Sequence, residues 1–187
     1  RPDARRIALF GRRMEILPGL FPAFADCATT AIPSPPLTAQ LSRRYGWGLR
    51  EVEAQGRALA GTHPHTVALY AFPAPAADAA ETPAAKTPLR DWFPDAGVLI
   101  CRPDPAAEHA LGAALKGGHN AEHHNHNDVG SFVVALGRST PLVDPGSEVY
   151  TRRTFGTNRY QSKVLNSFGH PVPRVAGKLQ TLGRQAA

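Results

Sequence analysis

Residues 73–88 carry four prolines in an alanine-rich run with no apolar periodicity, and this stretch constrains the fold more than any other. Proline lacks a backbone N–H and disfavours helical backbone at the residue before it. Neither a regular helix nor a paired strand crosses such a segment, so it reads as a linker or surface loop. Two stretches are left to fold on either side, with a boundary near residue 90.

The stretch before the linker predicts helices separated by proline-rich loops. Leu37 to Tyr45 follows Pro35-Pro36 and stops before Gly46, the order of breaker, helix and glycine expected of a capped helix. Leu49 to Leu59 carries Glu51, Glu53 and Arg57 on a mixed surface, and Thr66 to Phe72 is apolar enough for a buried helix or a strand, which periodicity does not separate in so short a run, with helix the favoured reading. Beyond the linker the pattern changes to short β-branched and apolar runs: 97–102, 109–116, 131–136 and 141–143. Pro103-Asp104-Pro105, Gly117-Gly118, Gly137-Arg138 and Asp144-Pro145-Gly146 separate or follow them, which predicts an antiparallel meander. No strand–helix alternation and no fixed-period repeat is present, so a parallel α/β fold is not expected. The fold class is therefore α + β.

The 187 residues suffice for one domain or for parts of two, and 42% hydrophobic residues exceed what a wholly disordered chain carries. No apolar run approaches the roughly 20 residues of a membrane-spanning helix, so no membrane partner is expected. The net charge is +6, but the basic residues are dispersed rather than gathered in a stripe, so nucleic acid is not the expected partner either. A local site for an anionic substrate fits better. Cys27 and Cys101 have no metal-like or redox-like spacing and read as two buried thiols. The chain begins at Arg1 with no signal-peptide pattern and reads as an internal fragment of a longer protein.

Four of the eight histidines fall within His119-Asn120-Ala121-Glu122-His123-His124-Asn125-His126-Asn127-Asp128. Histidine is the commonest metal ligand and the usual acid/base near neutral pH. In extended backbone, His124 and His126 would project to one side about 7 Å apart, so that one can hold a metal while the other faces a substrate. Pairing of 131–136 with 141–143 would carry Asp144 back towards His126. His170 is a possible third ligand, and two imidazoles with a carboxylate suit Zn²⁺.

The run Gly117 to Phe132 (Gly-Gly-His-Asn-Ala-Glu-His-His-Asn-His-Asn-Asp-Val-Gly-Ser-Phe) resembles the signature of the heparinase II/III-like polysaccharide lyases. The later order agrees: Asp144-Pro145-Gly146, Tyr150-Thr151, Phe155, Arg159-Tyr160, Asn166-Ser167 and His170. The resemblance is specific across 94–187 and diffuse before residue 90. It implies that residues 1–90 are the last helices of an (α/α) toroid, ending in the linker at about 73–88. Residues 91–187 would be the first strands of an antiparallel β-sandwich. It further implies that His124 is the substrate-facing histidine and that His126, Asp144 and His170 hold a structural Zn²⁺. Tyr160 falls where some members place a substrate-contacting tyrosine and is assigned with His124 as a catalytic candidate. Asn120, Glu122, Arg152 and Arg159 are the substrate-binding candidates, although Asn120 and Glu122 read better as supporting the turn and orienting the His ligands, and the arginines can equally belong to a solvated loop. The family's catalytic tyrosine and carboxylate-neutralising Asn/His come from earlier helices and have no match here.

The expected substrate is a uronic-acid polysaccharide of alginate or glycosaminoglycan type, and the expected location is the periplasm or the exterior. Two other readings compete on the residues alone. One is a zinc hydrolase with Glu122 as base, which lacks a His-Glu-x-x-His helix. The other is a non-catalytic carbohydrate-binding β module. Trp47, Trp92 and Phe93 can be sugar-stacking platforms or core.

Overall fold

The computed structural model describes residues 2–49 and 87–184. The expected helices 49–59 and 66–72 and nearly all of the linker lie outside them. The architecture is α + β: two α-helices and one five-stranded antiparallel sheet among the described residues. The chain divides into two compact units, 1–13 with 33–87, and 14–32 with 88–187.

The first unit contains α1 (Pro2–Arg13) and α2 (Pro35–Tyr45). Each begins at a proline, whose missing N–H costs nothing in a first turn, and each ends on arginines (Arg12 and Arg13, Arg43 and Arg44) that complement the negative end of the helix. Gly46, at φ 64° and ψ 41°, closes α2 with its N–H on the Ser42 carbonyl. Trp47 is buried and stacks on Tyr45 at 5.9 Å, as core rather than platform.

The second unit is built on the meander β1 (Arg90–Phe93), β2 (Val98–Cys101), β3 (Leu111–Lys116), β4 (Phe132–Leu136) and β5 (Ser139–Leu142), paired in chain order. The last four match the expected strands within a few residues, while β1 was not foreseen. Trp92 is 56% exposed on it and Phe93 half-buried. Pro141 sits in the edge strand β5, where no ladder N–H is needed.

One face of the sheet is apolar and covered. Ile100 pairs with Ala114, which pairs with Val133, and these residues with Val98 and Ala135 pack against Ile16, Leu17 and Phe24. Full burial of a side chain such as Ile100 contributes about 1.5–3 kcal/mol. Gly112 is required there, since a Cβ would lie 2.7 Å from Ile16 Cγ2. Arg102 ties the same segment down from the sheet edge, donating Nε–H to the Glu15 carbonyl at 2.7 Å and Nη1–H to buried Asp91 at 2.9 Å. Residues 14–32, assigned by sequence to the helical part, thus belong to the compact unit of the sheet. Cys27 and Cys101 are free and only half-buried.

Candidate functional site

The strand alternation that builds the core also places a charge in it. Lys116, the last residue of β3, faces the same side as Ala114 and is buried. Its Nζ lies 2.9 Å from Asp128 Oδ1 and 3.2 Å from Glu122 Oε2. Burial alone would lower its pKa, but the two carboxylates, Asp128 foremost, raise it, so the ammonium stays charged. Glu122 also accepts the His119 N–H at 3.3 Å. It therefore helps to secure the start of the His-rich loop.

That loop is not extended. His124 has φ 55°, left-handed backbone that costs a non-glycine residue about 1–2 kcal/mol, and the expected same-side projection of His124 and His126 from a strand does not occur. Their environments are opposite: the His124 side chain is 74% exposed and that of His126 fully buried. Asn127 N–H bonds the Leu165 carbonyl at 2.9 Å. Asn120, buried, donates Nδ2–H to Gln180 Oε1 at 3.0 Å and to the Thr181 carbonyl at 3.1 Å. Its amide nitrogen thereby fastens the loop onto the 180–183 segment.

Asp26 reunites the two histidines. Its Oδ1 accepts from His126 Nε2 at 2.8 Å, and its Oδ2 accepts from His124 Nδ1 at 3.0 Å. The Tyr150 hydroxyl also donates to Oδ2, and Arg159 Nη2 lies 3.5 Å from Oδ1. Burial would raise the Asp26 pKa, but the hydrogen bonds from Tyr150, His126 and His124 bring it below the ordinary value. The same bond to Asp26, together with burial, raises the Tyr150 pKa and keeps the phenol protonated. Burial lowers the pKa of His126 and outweighs the raising effect of Asp26, so its ring is neutral. Facing an ionised carboxylate, that ring carries its proton on Nε2.

Beneath this lies a fully buried cluster in which Asp128, Asp144 and His170 bring ligand atoms within 4.8 Å of one another and can hold a metal ion. Asp144 Oδ2 accepts from His170 Nδ1 at 2.9 Å and from the Ser131 hydroxyl, and its Oδ1 accepts the Gly146 N–H at 2.9 Å. Burial pushes the Asp144 pKa up, but these bonds, His170 first, bring it below the ordinary value. Two imidazole nitrogens, His126 Nδ1 and His170 Nε2, are buried without a hydrogen-bond partner. Buried lone pairs left bare are costly, and the His170 imidazole grouped with the Asp128 and Asp144 carboxylates suits a divalent cation of nitrogen and oxygen preference.

The expected ligand set is thus redistributed. Asp144 and His170 meet, and Asp128 completes the group of three. His126 stands beside it, its ring centroid 5.3 Å from that of His170. The Asp144-Pro145-Gly146 turn is held against the 14–32 segment, with Ser147 N–H on the Cys27 carbonyl at 3.0 Å. A Cβ at Gly146, φ 66°, would lie 2.2 Å from that carbonyl oxygen, so only glycine allows the approach.

The remaining candidates divide by orientation. Arg159 turns inward, giving Nη1–H to the Thr154 carbonyl at 3.0 Å and Nη2–H to the Asn125 carbonyl at 2.9 Å. Tyr160 is half-buried, with its hydroxyl 3.1 Å from Asn125 Nδ2, and Tyr150 rather than Tyr160 shares a carboxylate oxygen with His124. Arg152 is exposed at the start of the 3-10 turn Arg152–Phe155. Sequence reasoning missed Asp26 and the Lys116–Asp128 pair. Only the inward parity of Lys116 at the end of a strand offered a signal for the latter. No protein-family model matches this chain, and no curated protein matches it either.

Proposed function

We propose that this chain is part of a polysaccharide lyase of the heparinase II/III-like kind, joining the last helices of an (α/α) toroid to the first strands of a β-sandwich. Such a protein would cleave a uronic-acid polysaccharide by β-elimination in the periplasm or outside the cell. The observation that carries the reading is the convergence of an exposed imidazole, His124, and a protonated phenol, Tyr150, on one oxygen of Asp26 at the edge of the buried cluster.

Elimination needs a base for the proton beside the uronate carboxylate and an acid for the departing 4-linked oxygen. As the C–H bond breaks, its electrons form the new double bond and the C4–O bond opens, with no water consumed. His124, protonated on Nδ1 towards Asp26, presents its Nε2 lone pair to solvent and suits the base. Tyr150 holds the proton an acid requires, and Tyr160 is placed to support the Asn125 backbone beneath it. Exposed Arg152 and Lys163 can meet carboxylates of the polymer, while the donors that neutralise the reacting carboxylate would come from helices outside this chain. His126, Asp144 and His170, with Asp128 beside them, would hold a Zn²⁺ that supplies no reactive group and fixes the backbone bearing His124.

The test is the full-length protein containing this chain, incubated with alginate and with glycosaminoglycans and followed by the ultraviolet absorbance of the unsaturated product. Unsaturated ends from at least one polymer are expected, with none from the 187-residue chain alone. Saturated, water-added ends would favour a hydrolase, and glycan binding without cleavage would favour a binding module. Either result overturns the proposal.

A further inference from the structure

Asp26 is the point through which the exposed and the buried halves of this site are joined. Each carboxylate oxygen serves one half: Oδ2 takes His124 Nδ1 at 3.0 Å and the Tyr150 hydroxyl, and Oδ1 takes His126 Nε2 at 2.8 Å. These partners lie 98, 124 and 100 positions away along the chain, so no local preference produces the arrangement. The backbone is held to it under strain. Ala25 and His124, at φ 53° and 55°, are two of the three non-glycine residues with positive φ among the described residues; the first directly precedes Asp26 and the second carries the ring that meets it. Strain of this kind persists only where the surroundings impose it. Here the Ala25 N–H is fixed by Asp128 Oδ2 at 3.2 Å, and the Cys27 carbonyl by the Ser147 N–H.

We propose that Asp26 is the positioning residue of this site, setting the ring tautomers of His124 and His126 and aiming Tyr150 beside His124. The inference rests on the lyase reading for its effect on rate, but not for its effect on the rings. An ionised carboxylate can only accept hydrogen bonds. It therefore holds the His124 proton on Nδ1, leaving Nε2 as the bare nitrogen of an exposed ring, and holds the His126 proton on Nε2, leaving the buried Nδ1 without a partner.

Asp26→Asn tests this with nearly unchanged shape. An amide presents one acceptor and one donor, so it cannot accept from His126 on one side and from His124 and Tyr150 on the other. With the oxygen towards His126, His124 must move its proton to Nε2 and lose the exposed lone pair. Nitrogen-15 NMR of the histidine rings in the 187-residue chain, with and without added Zn²⁺, reads the tautomers directly. The expected result is Nδ1–H on His124 and Nε2–H on His126 in the natural sequence, with at least one ring switching in Asp26→Asn. In the full-length protein the same substitution is expected to lower kcat by about 10²–10⁴-fold, the scale of a wrong histidine tautomer, with KM within about threefold. His124 protonated on Nε2 in the natural sequence overturns the proposal, and needs no variant to be seen. So does Asp26→Asn with both tautomers kept, or with KM raised and kcat unchanged. If the full-length natural protein forms no unsaturated product, the lyase reading fails while the tautomer measurement still decides the role of Asp26.

Discussion

His126 and His170 lie with ring centroids 5.3 Å apart and ring planes inclined at 53°, each keeping one buried ring nitrogen without a hydrogen-bond partner. The His126 ring is oriented from behind by Asp26 at 2.8 Å, and the His170 ring lies against Asp144, its partner in the buried group of three. Oriented imidazoles of this kind are how proteins prepare a metal ligand. The chain is therefore expected to take up one equivalent of Zn²⁺ and to gain thermal stability from it, with a chelator reversing the gain. Elemental analysis and melting curves check this, and His170→Ala is expected to abolish both effects. A folded protein that stays metal-free in excess zinc would count against the site.

His124 and His126 are expected to fail differently in the full-length protein. His124→Ala, at an exposed ring, should keep zinc and melting temperature and lose lyase activity by two orders of magnitude or more. His126→Ala, at a fully buried ring, should lose its bound zinc and melt earlier, with activity falling in consequence. Zinc content, melting temperature and rate on the two variants separate the roles. Loss of metal from His124→Ala would show that the two rings have been exchanged in this assignment.

Lys116 and Asp128 form an ion pair whose side chains are 5% and 0% exposed. Removing one partner leaves a charge buried without compensation, so Lys116→Met is expected to cost about 3–5 kcal/mol in urea unfolding. Glu122→Gln should cost under about 1 kcal/mol, since Glu122 is 28% exposed. Equal effects from the two substitutions would mean that Lys116 is stabilised mainly by Glu122.

Glycines 146 and 137 share positive φ but not surroundings. Gly137→Ala, at φ 60° with nothing within 4 Å of a Cβ, should cost only the backbone strain, about 1–2 kcal/mol. Gly146→Ala must also push away the Cys27 carbonyl, next in the chain to Asp26, and is expected to cost more and to weaken zinc binding. Comparable stabilities for the two variants, with zinc affinity unchanged, would argue that the 144–147 turn is free to move.

Acid should loosen the 148–162 segment through Glu148. This carboxylate accepts from Arg153 at 3.0 Å and from the Ser162 hydroxyl. Burial would raise its pKa, yet these bonds bring it below the ordinary glutamate value of 4.5. With the folded pKa depressed, the stabilisation is fully present above 4.5 and is lost as the pH falls through the lowered value. The stability difference between the natural sequence and Ser162→Ala, followed down the acid limb, should shrink in that window. A difference that grows on acidification would reverse the sign of the argument.

Features governed by neighbours along the chain were legible in the sequence. Alternating apolar residues between glycine and proline turns determine β2 to β5 and their antiparallel order, because strand period and turn chemistry act over a few residues. Pro35 and Gly46 mark the ends of α2 for the same reason. The crowding of histidines marked the candidate region, and Asp144 and His170, two of the three buried residues that could hold a metal, were named from residue type and order. The tertiary structure alone decided how the site is wired. Nothing near Phe24-Ala25-Asp26-Cys27 signals that a carboxylate there would meet rings 98 and 100 positions away. That meeting depends on Ile16, Leu17 and Phe24 being buried against the sheet. The exposed ring of His124, the buried ring of His126 and the meeting of the Tyr150 hydroxyl with Asp26 follow from the same packing. Burial and partner geometry are properties of the folded surface, and two histidines separated by one residue carry no record of which will face water.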